Sequence, residues 1–114
     1  MIVCSAETVA ERRIVRTLGL VRGNTIRARH VGKDLRAVGR QVVGGEVSEY
    51  TKLIAEAREQ ALDRMVAEAE SLGADAIVAV RFTTSIIAKG SAELLAYGTA
   101  VILDEIDAEG TEGS

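Results

Sequence analysis

The sequence predicts an α+β domain in which an antiparallel sheet packs on one long and one short helix, in the order β-β-β-α-α-β-β. Three segments of the second half carry this prediction. Residues 48–72 have the three- and four-residue spacing of an amphipathic helix. Residues 76–80 form a short continuous apolar run, and residues 93–103 alternate between two apolar faces. A helix followed by two strands is therefore the best-defined part of the chain.

The first half contains three weaker strand patterns. Residues 2–4 are apolar enough for a short strand, and residues 12–22 alternate loosely, with a break expected near Gly19. A turn is predicted at Gly23 and Asn24. Residues 25–29 then alternate Ile26 and Ala28 with arginines, which indicates an edge strand with one face in water.

Two helices are predicted between the strands. Residues 34–43 form a short helix, which Asp34 caps and which ends at Gly44 and Gly45. Ser48 is the predicted N-cap of the long helix, and Gly73 supplies the left-handed position after its end. The apolar face of the long helix is rich in alanine, which favours close packing; it consists of Tyr50, Leu53, Ile54, Ala57, Ala61, Leu62, Met65, Ala69 and Leu72.

The remaining strands have distinct surroundings. Residues 76–80 resemble a strand that is buried on both faces, and the strand continues to residue 84. A turn is expected at residues 89–91. In the last strand, residues 93–103, Gly98 would permit a close approach of another segment or a bulge.

Length and composition indicate one domain over residues 1–103, followed by a flexible acidic tail over residues 104–114. The tail has five carboxylates and no lysine or arginine. The domain has one phenylalanine, two tyrosines and no tryptophan, so small aliphatic side chains must supply most of the burial. Association with further copies would supplement such a core.

The compartment is expected to be the cytoplasm. Cys4 is the single cysteine, which excludes an intramolecular disulfide. No apolar run approaches the length of a membrane span, and the first residues lack the pattern of a signal peptide.

Positive charge is concentrated in residues 12–40, which hold nine arginines and lysines against one aspartate. One interpretation is a solvated face that acidic residues balance, in the same chain or across a subunit interface. The other is a patch that binds anions or nucleic acid. The segment contains no aromatic residue, which argues against base stacking there.

Few residues are suited to chemistry. His30 is the single histidine, and with Cys4 it gives only two soft ligands per chain, whereas a closed zinc site needs four. A site for a divalent heavy metal would therefore need carboxylates or symmetry-related copies. No catalytic triad or dyad can be built, so the chain is not expected to be an enzyme. Gly44 and Gly45 match neither dinucleotide nor phosphate-loop spacing.

Tyr50 and Arg58 on the long helix are the remaining candidates. Tyr50 is expected to serve in packing. Arg58 lies beside the apolar stripe, where it would pair with Asp75 or Glu46, or bind an anion. An enzyme with an inter-subunit site around Tyr50 and Arg58 is a further hypothesis.

An ordered set of residues resembles the YbjQ-like family, also called the "putative heavy-metal-binding" domain family. The set spans roughly residues 8–103 and consists of Thr8, Ile14, Gly19, Gly23, Val43-Gly44-Gly45, Tyr50, Ala57-Arg58, Ala61, Ala69 and Leu72-Gly73-Ala74-Asp75-Ala76. Its most specific part is residues 44–78. Glu11 departs from the pattern, because relatives would carry a glycine there.

The resemblance implies a fold of the dodecin-subunit type and assembly as a homopentamer. The leading hypothesis is therefore a non-enzymatic cytoplasmic homo-oligomer that binds a metal ion or small ligand at inter-subunit sites, with Cys4 and His30 as candidate metal ligands. The alternative is an anion- or nucleic-acid-binding ring that uses the basic segment Arg12–Arg40. No membrane association is expected.

Overall fold

The computed structural model describes residues 1–28, 44–88 and 91–105, and the side chains of these except residues 28, 44–50 and 88. It contains four strands and one helix in these ranges: β1 (Ile2–Val3), β2 (Ile14–Ala28), α1 (Gly44–Ser71), β3 (Ala76–Ala88) and β4 (Ser91–Leu103). The α+β class is confirmed. The predicted short helix at 34–43 and most of the acidic tail lie outside the described residues.

The four strands form one mixed sheet in the order β1-β3-β4-β2. The three long strands pair antiparallel, but β1 runs parallel to β3, with Ile2 opposite Ala76 and Val3 opposite Ile77. The prediction of a purely antiparallel sheet is therefore wrong at one edge, because the chain passes through β2 and α1 before it returns beside β1. The dodecin-type arrangement stays a prediction.

β2 is a single strand of 15 residues, so the predicted turn at Gly23 and Asn24 is wrong. Both residues pair with β4, Gly23 opposite Ala96. A Cβ atom at Gly23 would overlap the carbonyl oxygen of Ala61 and the amide nitrogen of Met65 in α1. Glycine stands at this position because the helix backbone lies directly on the strand.

The orientation of β2 also differs from the prediction. Thr25 is 3% exposed and faces α1, whereas Ile26 is 59% exposed on the opposite face of the sheet. The predicted apolar face is thus the one that α1 leaves uncovered. The prediction of an edge strand is confirmed, and the expected irregularity near Gly19 occurs as a register shift between Thr17 and Gly19, where Gly19 has a φ of 124°.

α1 begins at Gly44, before the predicted N-cap Ser48, so Gly44 and Gly45 lie in its first turn. The alanine-rich stripe is confirmed where it packs on the sheet, since Ala57, Ala61, Met65 and Ala69 are fully buried. Leu72 is 47% exposed, contrary to the prediction, because the helix ends at Ser71.

The end of α1 agrees with the sequence. Gly73 has a φ of 80°, the left-handed conformation that glycine adopts without steric cost. The amides of Gly73 and Ala74 donate to the carbonyl oxygens of Glu70 and Ala69, which satisfies two groups at the helix terminus. The chain then enters β3 directly.

The core has two parts, one on each face of the sheet. Between α1 and the sheet lie Met65, Ile77 and Val21, among others. On the opposite face, Ala76, Val78, Val101 and Leu103 are covered by Cys4, Val9 and Ile14. The start of β3 is therefore buried on both faces, as its continuous apolar run predicts.

Burial decreases toward the other end of the sheet. α1 packs mainly on β2 and β4 and scarcely reaches β3. On the helix-side face, Phe82 and Ile86 of β3 are 42% and 71% exposed. The strand alternation predicted for β4 is confirmed, with Leu94, Ala96 and Ala100 among the residues buried toward α1. The described residues contain no helix that is both long and apolar enough to cross a membrane.

Candidate functional site

Cys4 lies where the N-terminal segment crosses the sheet face opposite α1. Its side chain is half-buried against the apolar cluster of Val78, Val101 and Leu103. The Sγ atom lies 3.6 Å from the carbonyl oxygen of Ala6, as a weak donor would. The surroundings of Cys4 are those of a small apolar residue packed at the margin of a core.

The described residues do not form a metal centre around Cys4. Among the described residues, no three histidine, cysteine, aspartate or glutamate side chains lie close enough together to hold an ion. His30, the other predicted ligand, lies outside the described residues. The described part of one chain therefore contributes only part of a coordination sphere here.

The structure does not bring Tyr50 and Arg58 into a defined site. The backbone of Tyr50 is helical, and its side chain lies outside the described set. Arg58 is exposed on α1 and not half-buried as expected. Its predicted partner Asp75 is engaged elsewhere, because its Oδ2 accepts a hydrogen bond of 2.9 Å from the amide of Leu103. The prediction of an ion pair between Arg58 and Asp75 is therefore wrong.

The basic segment divides into a structural and an exposed part. The Nη2 of Arg12 donates to the carbonyl oxygen of Asp104 at 2.7 Å, and its Nε lies 3.5 Å from the Oδ1 of the same residue. The amide of Arg13 donates to that carboxylate as well. These contacts attach the first residue of the predicted tail to the start of β2. Arg29, Lys33, Arg36 and Arg40 lie outside the described residues.

Arg22 belongs to a row of side chains across the sheet that the sequence does not reveal. Arg22 on β2 lies opposite Tyr97 on β4, and Tyr97 lies opposite Arg81 on β3. All three are on the face opposite α1, with both arginines exposed and Tyr97 partly exposed. Only the strand register joins them, because 59 residues separate Arg22 from Arg81 in the chain.

The two long edges of the sheet differ. On β2, the amide of Arg22 donates to the Oε1 of Glu68 at 2.8 Å, and the carbonyl oxygen of Asn24 accepts from the Nη1 of Arg64 at 2.6 Å. Side chains of α1 thus occupy the outward groups of β2. On β3, the outer edge beyond Val80 pairs with no strand in the described part of the chain.

Comparison with known proteins places the chain in a family. UPF0145 proteins of Methanosarcina acetivorans and Archaeoglobus fulgidus are 55% and 56% identical over 101 and 103 residues, which cover 89% and 90% of this chain and 95% of each relative. A UPF0145 protein of Halorubrum lacusprofundi is 58% identical over 99 residues, 87% of this chain and 95% of that relative.

A solved structure supports the fold. The crystal structure of a protein of unknown function from the DUF74 family of Pediococcus pentosaceus superposes with a TM-score of 0.58 at 16% identity. The match covers 91% of this chain and 98% of that one. A family model, YbjQ_1, with the description "Putative heavy-metal-binding", matches residues 1–104. The chain belongs to this YbjQ-like, UPF0145 family, as the residue pattern predicts.

Proposed function

We propose that this chain is the non-enzymatic subunit of a cytoplasmic homopentamer, which binds a heavy-metal ion or small ligand between its subunits. The observation that carries the proposal is the uncovered second half of β3. Its helix-side residues Phe82 and Ile86 are exposed although the chain has few large apolar side chains to spare. A second copy would bury them.

The backbone of β3 supports the same surface. The amide of Val80 points away from β4 and donates to the carbonyl oxygen of Cys4. Since successive amides of a strand point to opposite edges, those of Phe82, Thr84 and Ile86 point the same way. These residues carry no charge, and Arg81 is the one charged residue of β3, so the edge beyond Arg81 lacks the charges that prevent strand pairing.

The closed edge of β2 determines the kind of interface. Because Glu68 and Arg64 occupy outward groups of Arg22 and Asn24, β2 is a poor partner for another strand over this stretch. This leaves pairing of two β3 edges, which would give a dimer, and contact of the β3 edge with a surface of the next copy other than β2. The family resemblance to pentamers favours the second arrangement. Such heterologous contacts generate closed rings when the rotation between neighbours permits it, and a pentamer is one such ring.

A metal site in this assembly would take ligands from more than one chain. Cys4 and His30 are the soft ligands that each subunit would supply, and the group of described residues around Cys4 is incomplete. The family description supports the metal as a class of ligand. No chemical step depends on it in this proposal.

Light scattering on untagged protein tests the assembly. We expect a mass about five times the 12.1 kDa of one chain. Ile86→Lys should dissociate the ring, because Ile86 is 71% exposed in the single chain and a lysine there costs the fold little. Leu72→Lys, at an exposed position beyond α1, is the matched control and should leave the mass unchanged. A monomeric wild-type protein would contradict the proposal.

Elemental analysis of the same samples tests the metal. We expect zinc, copper or nickel in a fixed ratio to the wild-type chain and its loss in Cys4→Ser. Metal content that is absent after titration would remove metal binding, and equal metal content in the two proteins would remove Cys4 as a ligand; either result leaves the pentamer intact.

A further inference from the structure

The row Arg22–Tyr97–Arg81 has the composition of a binding site for a phosphate ester. The three residues lie directly opposite one another on three neighbouring strands. Because directly opposed side chains have Cβ atoms about 5 Å apart, the two arginines flank the tyrosine ring at about 10 Å from each other. Both guanidinium groups are long enough to reach one ligand placed over that ring.

The charge around this row is positive and little compensated. The flanking rows on the same face contain Leu20 and Thr99 on one side and Asn24, Leu95 and Thr83 on the other, and all of these are uncharged. Within the strands, the first carboxylate along this face is Glu93, which lies two rows away and accepts a hydrogen bond from the side-chain amide of Asn24. The N-terminal segment that carries Glu7 also reaches the row, where the carbonyl oxygen of Ser5 accepts from Arg81. Glu68 approaches from the β2 edge, where it binds the amide of Arg22.

Contacts within the fold hold the guanidinium of Arg81 and the backbone of Arg22. The Nη1 of Arg81 donates to the carbonyl oxygens of Ser5 and Val80 at 2.9 and 3.0 Å. These bonds use one of the three guanidinium nitrogens and leave the others to face a ligand. The backbone of Arg22 is fixed by its hydrogen bond to Glu68. The Arg81 cation is therefore held before any ligand arrives, which lowers the entropy cost of binding, whereas the exposed Arg22 side chain is positioned only through its backbone.

We infer that this row binds a nucleotide unit, with its base stacked on Tyr97, its phosphate beside the ring at Arg22, and the remaining N–H groups of Arg81 at the opposite edge of the base. Arginine binds phosphate through paired N–H donors, and an aromatic ring stacks on any base. The basic segment alone lacks an aromatic residue, and the sheet supplies one from β4. The inference stands apart from the pentamer, since all three residues belong to one chain.

Calorimetric titration of the assembled protein tests this site. The probes are inorganic phosphate, adenosine monophosphate and an adenylate ten-mer. We expect the nucleotide to bind more tightly than phosphate, and Arg22→Gln and Arg81→Gln each to weaken nucleotide binding about tenfold, the effect of one charge-assisted hydrogen bond. Tyr97→Leu should weaken the binding of adenosine monophosphate and leave the binding of inorganic phosphate unchanged, because leucine offers no ring for the base to stack on.

Arg58→Gln is the control, since it removes the same charge from an exposed site on α1. Thermal melting of each variant establishes that it remains folded. Arg81→Gln also removes the contact with Ser5, so if that variant is unstable, the binding of Arg22→Gln alone decides the test. A ten-mer that binds more than tenfold tighter than the mononucleotide identifies single-stranded nucleic acid as the source, and equal affinities identify a free nucleotide. No binding of any probe, or equal losses in Arg22→Gln and Arg58→Gln, overturns the inference.

Discussion

The carboxylate of Glu68 on α1 accepts a hydrogen bond of 2.8 Å from the backbone amide of Arg22 on β2. One residue pair further along, Arg64 donates to the carbonyl oxygen of Asn24. The helix therefore packs on the face of the sheet with its alanines and closes one edge of it with its charged side chains. Exposed edge strands invite pairing with other chains, and this contact prevents it on β2.

Removal of the Glu68 carboxylate should reopen that edge. We expect Glu68→Ala to lower the free energy of unfolding by about 1 kcal/mol. This is less than a buried hydrogen bond to a charged group contributes, because Glu68 is exposed to solvent. The variant should also form larger aggregates at high concentration. Urea denaturation and light scattering measure the two effects. Glu70→Ala, at an exposed position on the same helix, is the control, and equal behaviour of the two variants would argue against edge closure.

Glu11 has a φ of 64°, in the left-handed region where a non-glycine residue is strained. This conformation is a physical reason for the glycine that the resemblance leads us to expect at the position. We expect Glu11→Gly to raise the free energy of unfolding by about 1 kcal/mol through relief of that strain. Glu7→Gly, an exposed neighbour outside the positive-φ positions, should be neutral or destabilising. A loss of stability in Glu11→Gly would show that the glutamate side chain offsets its backbone cost.

The second half of the fold could be predicted from the sequence because its signals are local. The alanine stripe, the stop at Gly73 and the doubly buried start of β3 each follow from the spacing or conformation of neighbouring residues. Gly98 was also predicted to allow a close approach, and a Cβ atom there would lie 2.7 Å from the side chain of Ile77.

The failures concern contacts between distant segments. Gly23 and Asn24 have the composition of a turn, and only the packing of α1 on β2 shows that the glycine serves a close approach. The row of Arg22, Tyr97 and Arg81 depends on two strand registers that no local pattern determines. The sequence therefore contains all three residues of the candidate site but does not show that they lie side by side.

The close packing at Gly23 leads to a further prediction. A methyl group there would meet the backbone of Ala61 and Met65 and the Cβ of Arg64, which flexible side chains cannot relieve. We expect Gly23→Ala to lower the free energy of unfolding by about 3 kcal/mol, at the upper end of overpacking costs. Urea denaturation measures it.

Gly19→Ala provides the comparison for Gly23→Ala, since its Cβ would meet nothing within 4 Å and its cost would come from the φ of 124° alone. Equal losses in the two variants would mean that backbone conformation, and not the helix contact, requires the glycine at position 23.

Thr25 lies in the core beneath α1, opposite Leu94, and is 3% exposed. Its Oγ1 has no hydrogen-bond partner among the described residues. A buried hydroxyl without a partner costs about 1–3 kcal/mol, whereas valine has nearly the same shape and no polar atom. We therefore expect Thr25→Val to raise the free energy of unfolding by about 1 kcal/mol. Thr84→Val, on the same face but exposed on β3, should change it little. Destabilisation by Thr25→Val would show that the hydroxyl has a partner in the folded protein, and would make position 25 a polar contact of the core.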